Sequence, residues 1–181
     1  LSPSSWFMSH SRPLLRQLTY FMMLSAQRLC VSMNIADQLK LPESQRTLPI
    51  FICTDDSGSP KYIIPLSGAG LWGPIWGYIS IENDGNTVYG AYFAHQSETP
   101  GLGAEIEKPQ FQKQFQGKHF FIDGAFLPIA VEKAGRKPQN GADYVDAVSG
   151  GTITSKGVQS MLQSCVEPYA QFLESLNSKN I

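Results

Sequence analysis

The sequence predicts an α+β fold, an antiparallel sheet flanked by helices, with a long helix at the C-terminus. Strand-like segments separated by turn residues run from Leu48 to Glu132. Helical periodicity precedes them and returns after Lys156, and strands bracketed by helices define this class. The 181 residues, 42% hydrophobic and 16% charged, suit one ordinary globular domain with a core of its own, plus an appendage. That balance argues against disorder. A formal net charge of −1 gives no basic footprint for nucleic acid.

Taken in order, the helical pattern spans Ser11 to about Leu41. Pro13 suits a first turn, Leu14, Leu15, Leu18, Met22, Leu29 and Met33 share a face, and Pro42 ends it. The Phe21-Met22-Met23 piece reads as adaptable core packing. No stretch here spans a membrane, because Leu14 to Met33 is interrupted by Arg16, Gln17, Gln27 and Arg28. No signal-peptide pattern appears either.

From Leu48 the period becomes that of strands. Leu48 to Thr54 and Tyr62 to Leu66 form a hairpin across the turn residues Asp55 to Pro60. Leu71 to Ile81 reads as a strand broken by glycines, where backbone approaches something closely, or as a bulged core strand. Asn83-Asp84-Gly85-Asn86 signals a hairpin turn, and Thr87 to His95 returns as a strand. Pro100-Gly101 fits the centre of a type II turn. Ile106 to Phe115 is a short helix stopped by Gly117, and Lys118 to Asp123 and Phe126 to Glu132 alternate as strands. The basic cluster Lys133 to Lys137 is a solvated turn. A short strand-like run, Tyr144 and Val145, precedes Asp146. From Lys156, an amphipathic helix presents Val158, Met161, Leu162, Cys165, Tyr169, Phe172, Leu173 and Leu176, with a kink at Pro168. The cysteines, Cys30, Cys53 and Cys165, are too few and scattered for a zinc or iron–sulfur site, and read as free thiols, Cys165 in the core.

The chemistry concentrates in Asp146-Ala147-Val148-Ser149-Gly150-Gly151-Thr152-Ile153-Thr154-Ser155-Lys156-Gly157. Two glycines permit close backbone approach, and the hydroxyls of Ser149, Thr152, Thr154 and Ser155 stand at a helix start that favours phosphate. A turn plus an N-cap accounts for the same residues. A P-loop fails in register, since Lys156 follows Ser155 and precedes Gly157. A hydrolase nucleophile elbow at Ser149 fails in order, because His10, His95 and His119 all precede it. Gly101-Leu102-Gly103 lacks the third glycine of a dinucleotide fingerprint.

Asp146-x-x-Ser149-Gly150-Gly151-Thr152 resembles the flavinylation motif of the FMN-binding domain family. That domain occurs in the C-type subunit of the Na+-translocating NADH:quinone reductase and in the G-type subunit of the Rnf electron-transport complex. Gly151 stands where the family usually has Ala, a permissive departure. Gly70 to Tyr78, His95 to Gly103, and Phe111 with Gln114 to Lys118 are similar to further segments of the reductase's C-type subunit, in the family's order. The resemblance implies an FMN-binding domain over residues 48–181, with FMN held by a phosphoester on Thr152. It implies that Leu71 and Trp72 line the flavin, that Glu98, Thr99 and Leu102 form the pocket edge, and that backbone at Gly151 to Thr154 meets the phosphate.

The same resemblance implies that a separate Mg-dependent flavin transferase attaches FMN from FAD, reading Asp146, Ser149 and Gly150. A threonine hydroxyl is a weak nucleophile and no convincing base lies near Thr152 in sequence, so self-attachment is disfavoured. The implied role is an electron-carrier subunit, relaying electrons from NADH toward ubiquinone among the other subunits of a sodium-transporting membrane complex. No independent active site and no metal site are expected. Residues 1–47 match no family segment and are read as an N-terminal helical segment. Because the C-type subunits have an N-terminal membrane helix and this chain opens on Leu1, an anchor preceding Leu1 is expected, with the domain on the periplasmic side of a bacterial inner membrane. The alternatives are an Rnf-type subunit, sharing the same linkage, and a non-flavinylated assembly domain of the same fold. The Trp72/Trp76 segment favours the quinone reductase.

Overall fold

A four-stranded antiparallel meander organises the molecule, in the computed structural model that describes residues 35–42, 45–54 and 57–177. Of the helix expected over Ser11 to Leu41, only α1 (Ile35–Leu39) falls within the described residues. The Met-rich piece and Cys30 lie outside them. Strands β1 (Phe51–Thr54), β2 (Pro60–Ala69), β3 (Pro74–Ile81) and β4 (Val88–His95) pair in chain order, each antiparallel to the next.

The broken strand expected from Leu71 to Ile81 takes a different form. Gly70 to Gly73 make the β2–β3 turn, closed by a 2.8 Å bond from the Gly70 N–H to the Gly73 carbonyl. Only from Pro74 onward does the run enter the sheet. The reason is positional: Leu71 and Trp72 project 46% and 65% exposed from the tip, where no strand partner is available. The β3–β4 turn is held by Asp84, whose carboxylate accepts the Asn86 and Thr87 N–H groups and the Thr87 hydroxyl. Burial pushes that carboxyl upward, but these bonds and nearby His119 outweigh it, leaving it below the ordinary range. Asn86 then reaches the next segment. Its side-chain oxygen accepts the Phe120 and Phe121 N–H groups, and its amide donates to the Phe121 carbonyl.

The short helix expected over Ile106 to Phe115 is a composite: a 3₁₀ turn (Gly103–Glu107), α2 (Pro109–Gln112) and a second 3₁₀ turn (Lys113–Phe115). Pro109 interrupts any continuous ladder because it has no N–H to donate. Phe111 and Phe115 pack against Phe93 of β4, with ring centroids 5.9 and 5.0 Å away. Two-residue strands β5 (Phe121–Ile122) and β6 (Ala125–Phe126) follow. The small pair β7 (Ala130–Glu132) and β8 (Tyr144–Asp146) is parallel, unlike the main sheet.

The C-terminal helix is split as Pro168 requires, into α3 (Thr152–Val166), a 3₁₀ turn (Glu167–Tyr169) and α4 (Ala170–Asn177). Val158, Met161, Leu162, Cys165 and Val166 are buried and join Ile64, Leu66, Ile75, Ile79, Ile81 and Phe93 in one core. Fully burying side chains of this size contributes roughly 1.5–3 kcal/mol each. Cys165 is buried as expected, and its thiol exchanges hydrogen bonds with the Ser67 backbone. Burial pushes that thiol above its ordinary pKa. Tyr169 donates to the Pro49 carbonyl at 2.7 Å and ties the helix junction to the segment before β1.

Candidate functional site

Three chain segments converge at the N-terminus of α3: the Gly70–Gly73 turn, the loop of residues 96–102, and the motif loop of residues 147–151. The second segment is built by the type II turn its sequence announces. The Leu102 N–H bonds the Thr99 carbonyl at 3.1 Å around Pro100 and Gly101, and Gly101 has φ 75°. Thr99 and Leu102 are exposed, Leu102 by 42%.

In the motif loop, Gly150 has φ 74°, a conformation that side-chain-bearing residues rarely adopt, and its surface lies against Leu102. Gly151 is the N-cap of α3 and provides no side-chain cap. Its own N–H bonds the Val148 carbonyl at 3.0 Å. The N–H groups of Thr152, Ile153 and Thr154 therefore open the helix with no intrahelical carbonyl to meet them. With the helix dipole, that is a phosphate-binding arrangement. Thr152, first residue of α3, is exposed, as are Ser149 and Gly150.

The four hydroxyls at this helix start do not all face outward. Thr154 and Ser155 are 1% and 0% exposed. The Thr154 hydroxyl donates to Glu98 Oε2 at 2.5 Å, and Ser155 Oγ accepts the Val148 N–H at 3.0 Å. Helical geometry explains the division: residues three and four along turn toward the sheet once Val158 and Leu162 do so. Glu98, expected at the pocket edge, is also beneath the surface, 4% exposed.

On the other side of the motif loop lies a cleft of about 520 Å³ lined by Glu105, Lys108, Gln114, Asp146 and Ser149, among others. Gln114 fixes its floor by pairing with the Asp146 backbone in both directions, at 2.9 and 3.4 Å. Among the described residues, no cluster of three or more His, Cys, Asp and Glu is arranged for a metal ion.

A family profile described as FMN-binding domain matches residues 70–167, more than half of the chain. A solved C-type subunit of the Na+-translocating NADH-quinone reductase, from Parabacteroides distasonis, is 51% identical, with a TM-score of 0.72 over 78% of this chain and 68% of that one. The chain belongs to this C-type family of FMN-binding domains. The Shewanella oneidensis NqrC structure is 35% identical with a TM-score of 0.62, covering 72% of this chain and 61% of that one. The C-type subunit of the same reductase from Chlamydia caviae is 35% identical over 177 residues, covering 90% of this chain and 51% of the relative. The chain spans about half the length of the curated relatives it matches.

The matched region takes in all three converging segments of the site. Leu71, Trp72, Thr99, Leu102, Ser149, Gly150 and Thr152 lie at its surface. Gly151, Glu98 and Thr154 lie beneath it. Two contributors lie in segments that carry the resemblance but are not among the site residues it implies. Gln114 supports Asp146, and Ser97 donates its hydroxyl to the Trp72 carbonyl at 3.0 Å. Both act on backbone atoms of segments distant in sequence, which no local spacing encodes.

Proposed function

We propose that residues 48–181 carry FMN covalently, as a phosphoester on Thr152, and serve as an electron carrier in a Na+-translocating NADH:quinone reductase. The observation that carries this reading is Thr152 itself, exposed at the first position of α3 beside open backbone N–H groups. The surroundings fit the group: a left-handed Gly150, an N-cap lacking a side chain, and exposed apolar Leu71, Trp72 and Leu102. The N–H groups of Thr152, Ile153 and Thr154 would hold the phosphate. Leu71, Trp72 and Leu102 would flank the ring, shielding it from water on that side. When bound, the flavin supplies reversible electron acceptance, which the protein positions and tunes.

Among the described residues no carboxylate, histidine or lysine is bonded to the Thr152 hydroxyl, so attachment needs a separate catalyst. In our reading a Mg-dependent transferase uses FAD. The threonyl oxygen forms the new bond to phosphorus, the pyrophosphate bond breaks, AMP leaves and the hydroxyl proton is released. Asp146 and Ser149, on the wall of the 520 Å³ cleft, are the features that enzyme recognises. Among the described residues no helix is long and apolar enough to cross a bilayer. We assign the domain to the periplasmic face of a membrane complex, with the other reductase subunits as partners.

The test is intact mass spectrometry of the chain co-expressed with the transferase. The wild type should gain one FMN with loss of water, and the denatured chain should stay yellow. Thr152→Ala should gain nothing; an adduct persisting in that variant would refute the assignment.

A further inference from the structure

We propose that Glu98 is the positioning residue of this site, a latch that holds the Gly70–Gly73 turn to the first turn of α3 and places a carboxylate within the site. The inference rests on the flavin reading above. Glu98 Oε1 accepts the Trp72 N–H at 2.8 Å, and Oε2 accepts the Thr154 hydroxyl at 2.5 Å. The Glu98 N–H donates to His95 Nδ1 at 3.1 Å, which fixes the residue's own backbone. One carboxylate thus joins two segments that lie far apart in sequence.

The surrounding chain is shaped for that carboxylate. A side chain at Gly70 would place its Cβ 2.5 Å from Oε1, and one at Gly103 would collide with Oε2 and with the Thr154 hydroxyl. Two different loops therefore leave room for this group and nothing larger. Trp72 shows why a latch is needed. Its ring is 65% exposed, yet both polar groups of its backbone are taken, the N–H by Glu98 and the carbonyl by Ser97. A side chain so exposed at a turn tip has no packing of its own to fix it.

Among the described residues, no cation pairs with the Glu98 carboxylate. A buried carboxylate satisfied only by neutral donors is costly, and an apolar or neutral residue would build a cheaper turn. Its charge has a consequence that a merely structural group lacks. With a flavin held in this site, it would oppose the arrival of further negative charge and lower the midpoint potential.

The test combines amide exchange on flavin-free protein with potentiometry on loaded protein. In Glu98→Ala the Trp72 amide should exchange roughly ten- to a hundredfold faster, the range for losing a hydrogen bond to a charged group. Glu98→Gln should restore most of the protection, because its side-chain carbonyl still accepts that N–H. Thr154→Val cuts only the α3 end and should accelerate exchange less; it and Glu98→Gln keep the test open if Glu98→Ala does not fold. In loaded protein, Glu98→Gln should shift the midpoint potential upward although the turn is held. Unchanged Trp72 exchange in Glu98→Ala, or in Thr154→Val if the alanine variant does not fold, would overturn the latch. A Glu98→Gln potential equal to that of the wild type would overturn the charge. Failure of the wild type to gain any FMN refutes the flavin reading instead, and the exchange measurement on flavin-free protein still decides the latch.

Discussion

Replacing Ser155 by Ala should loosen the motif loop from inside the protein. The Ser155 hydroxyl is 0% exposed and accepts the Val148 N–H at 3.0 Å, pinning the strand-to-helix loop against the first turn of α3. Alanine leaves that N–H without an acceptor in a place water reaches poorly. An orphaned buried donor costs about 1–3 kcal/mol. Alanine's better helix propensity returns roughly 0.5 kcal/mol, so a net loss of about 1–2 kcal/mol is expected. Ser149→Ala is the control, because Ser149 is exposed and such changes usually stay within about 0.5 kcal/mol. Urea unfolding of both variants, followed by far-ultraviolet circular dichroism, gives the comparison, with the slope checked for constancy. If Ser155→Ala matched Ser149→Ala within error, the inward hydroxyl would not be holding the loop, and the account of the helix start would be wrong.

Phe115→Ala should lose about 3–5 kcal/mol, since Phe115 is fully buried between Phe93 and Phe111 and anchors the composite helical segment; a loss under about 1 kcal/mol by urea unfolding would contradict that packing. Asp84 has a depressed folded-state pKa, so its contribution is present above the unfolded carboxyl value and is lost as pH falls through the lower folded one. The stability gap between wild type and Asp84→Ala should therefore be constant near neutrality and close below about pH 4; a gap that widens in acid would refute the assignment. Cys165, buried with its thiol pKa raised, should resist alkylation in the native protein and react in urea. Mass mapping of its peptide after a short iodoacetamide pulse reads this, and equal labelling in both states would be the contrary result.

Much of the architecture is legible from residues that act on their nearest neighbours. Pro100-Gly101 announces a type II turn and forms one. Asn83 to Asn86 closes the β3–β4 hairpin, and Pro168 divides the C-terminal helix where its ring blocks the ladder. The periodicity from Val158 to Leu173 marks the face that packs on the sheet. What escapes is of another kind. Leu71 and Trp72 have strand-like composition, yet they occupy a turn because the β2–β3 register ends at Ala69 and Pro74. The strand expected from Lys118 to Asp123 is only Phe121–Ile122, because Asp123 and Gly124, with φ 51° and 79°, already form the turn to β6. The parallel pairing of β7 with β8 depends on how the crossover of residues 133–143 carries the chain back to the start of β7, which no local pattern contains.

Residue order alone was enough for the fold class, the succession of strands and helices, the motif from Asp146 to Thr152, and the family resemblance. The fold class and element order rest on periodicity and turn chemistry, and the resemblance on matched motifs, all of which are written in a few neighbouring residues. Packing settled which hydroxyls face outward, turning Thr154 and Ser155 inward and leaving Thr152 at the surface. Packing also put Glu98 between Trp72 and Thr154. A hydrogen bond between residues far apart in sequence exists only after the sheet and α3 have come together, and its partners leave no mark on their own neighbourhoods.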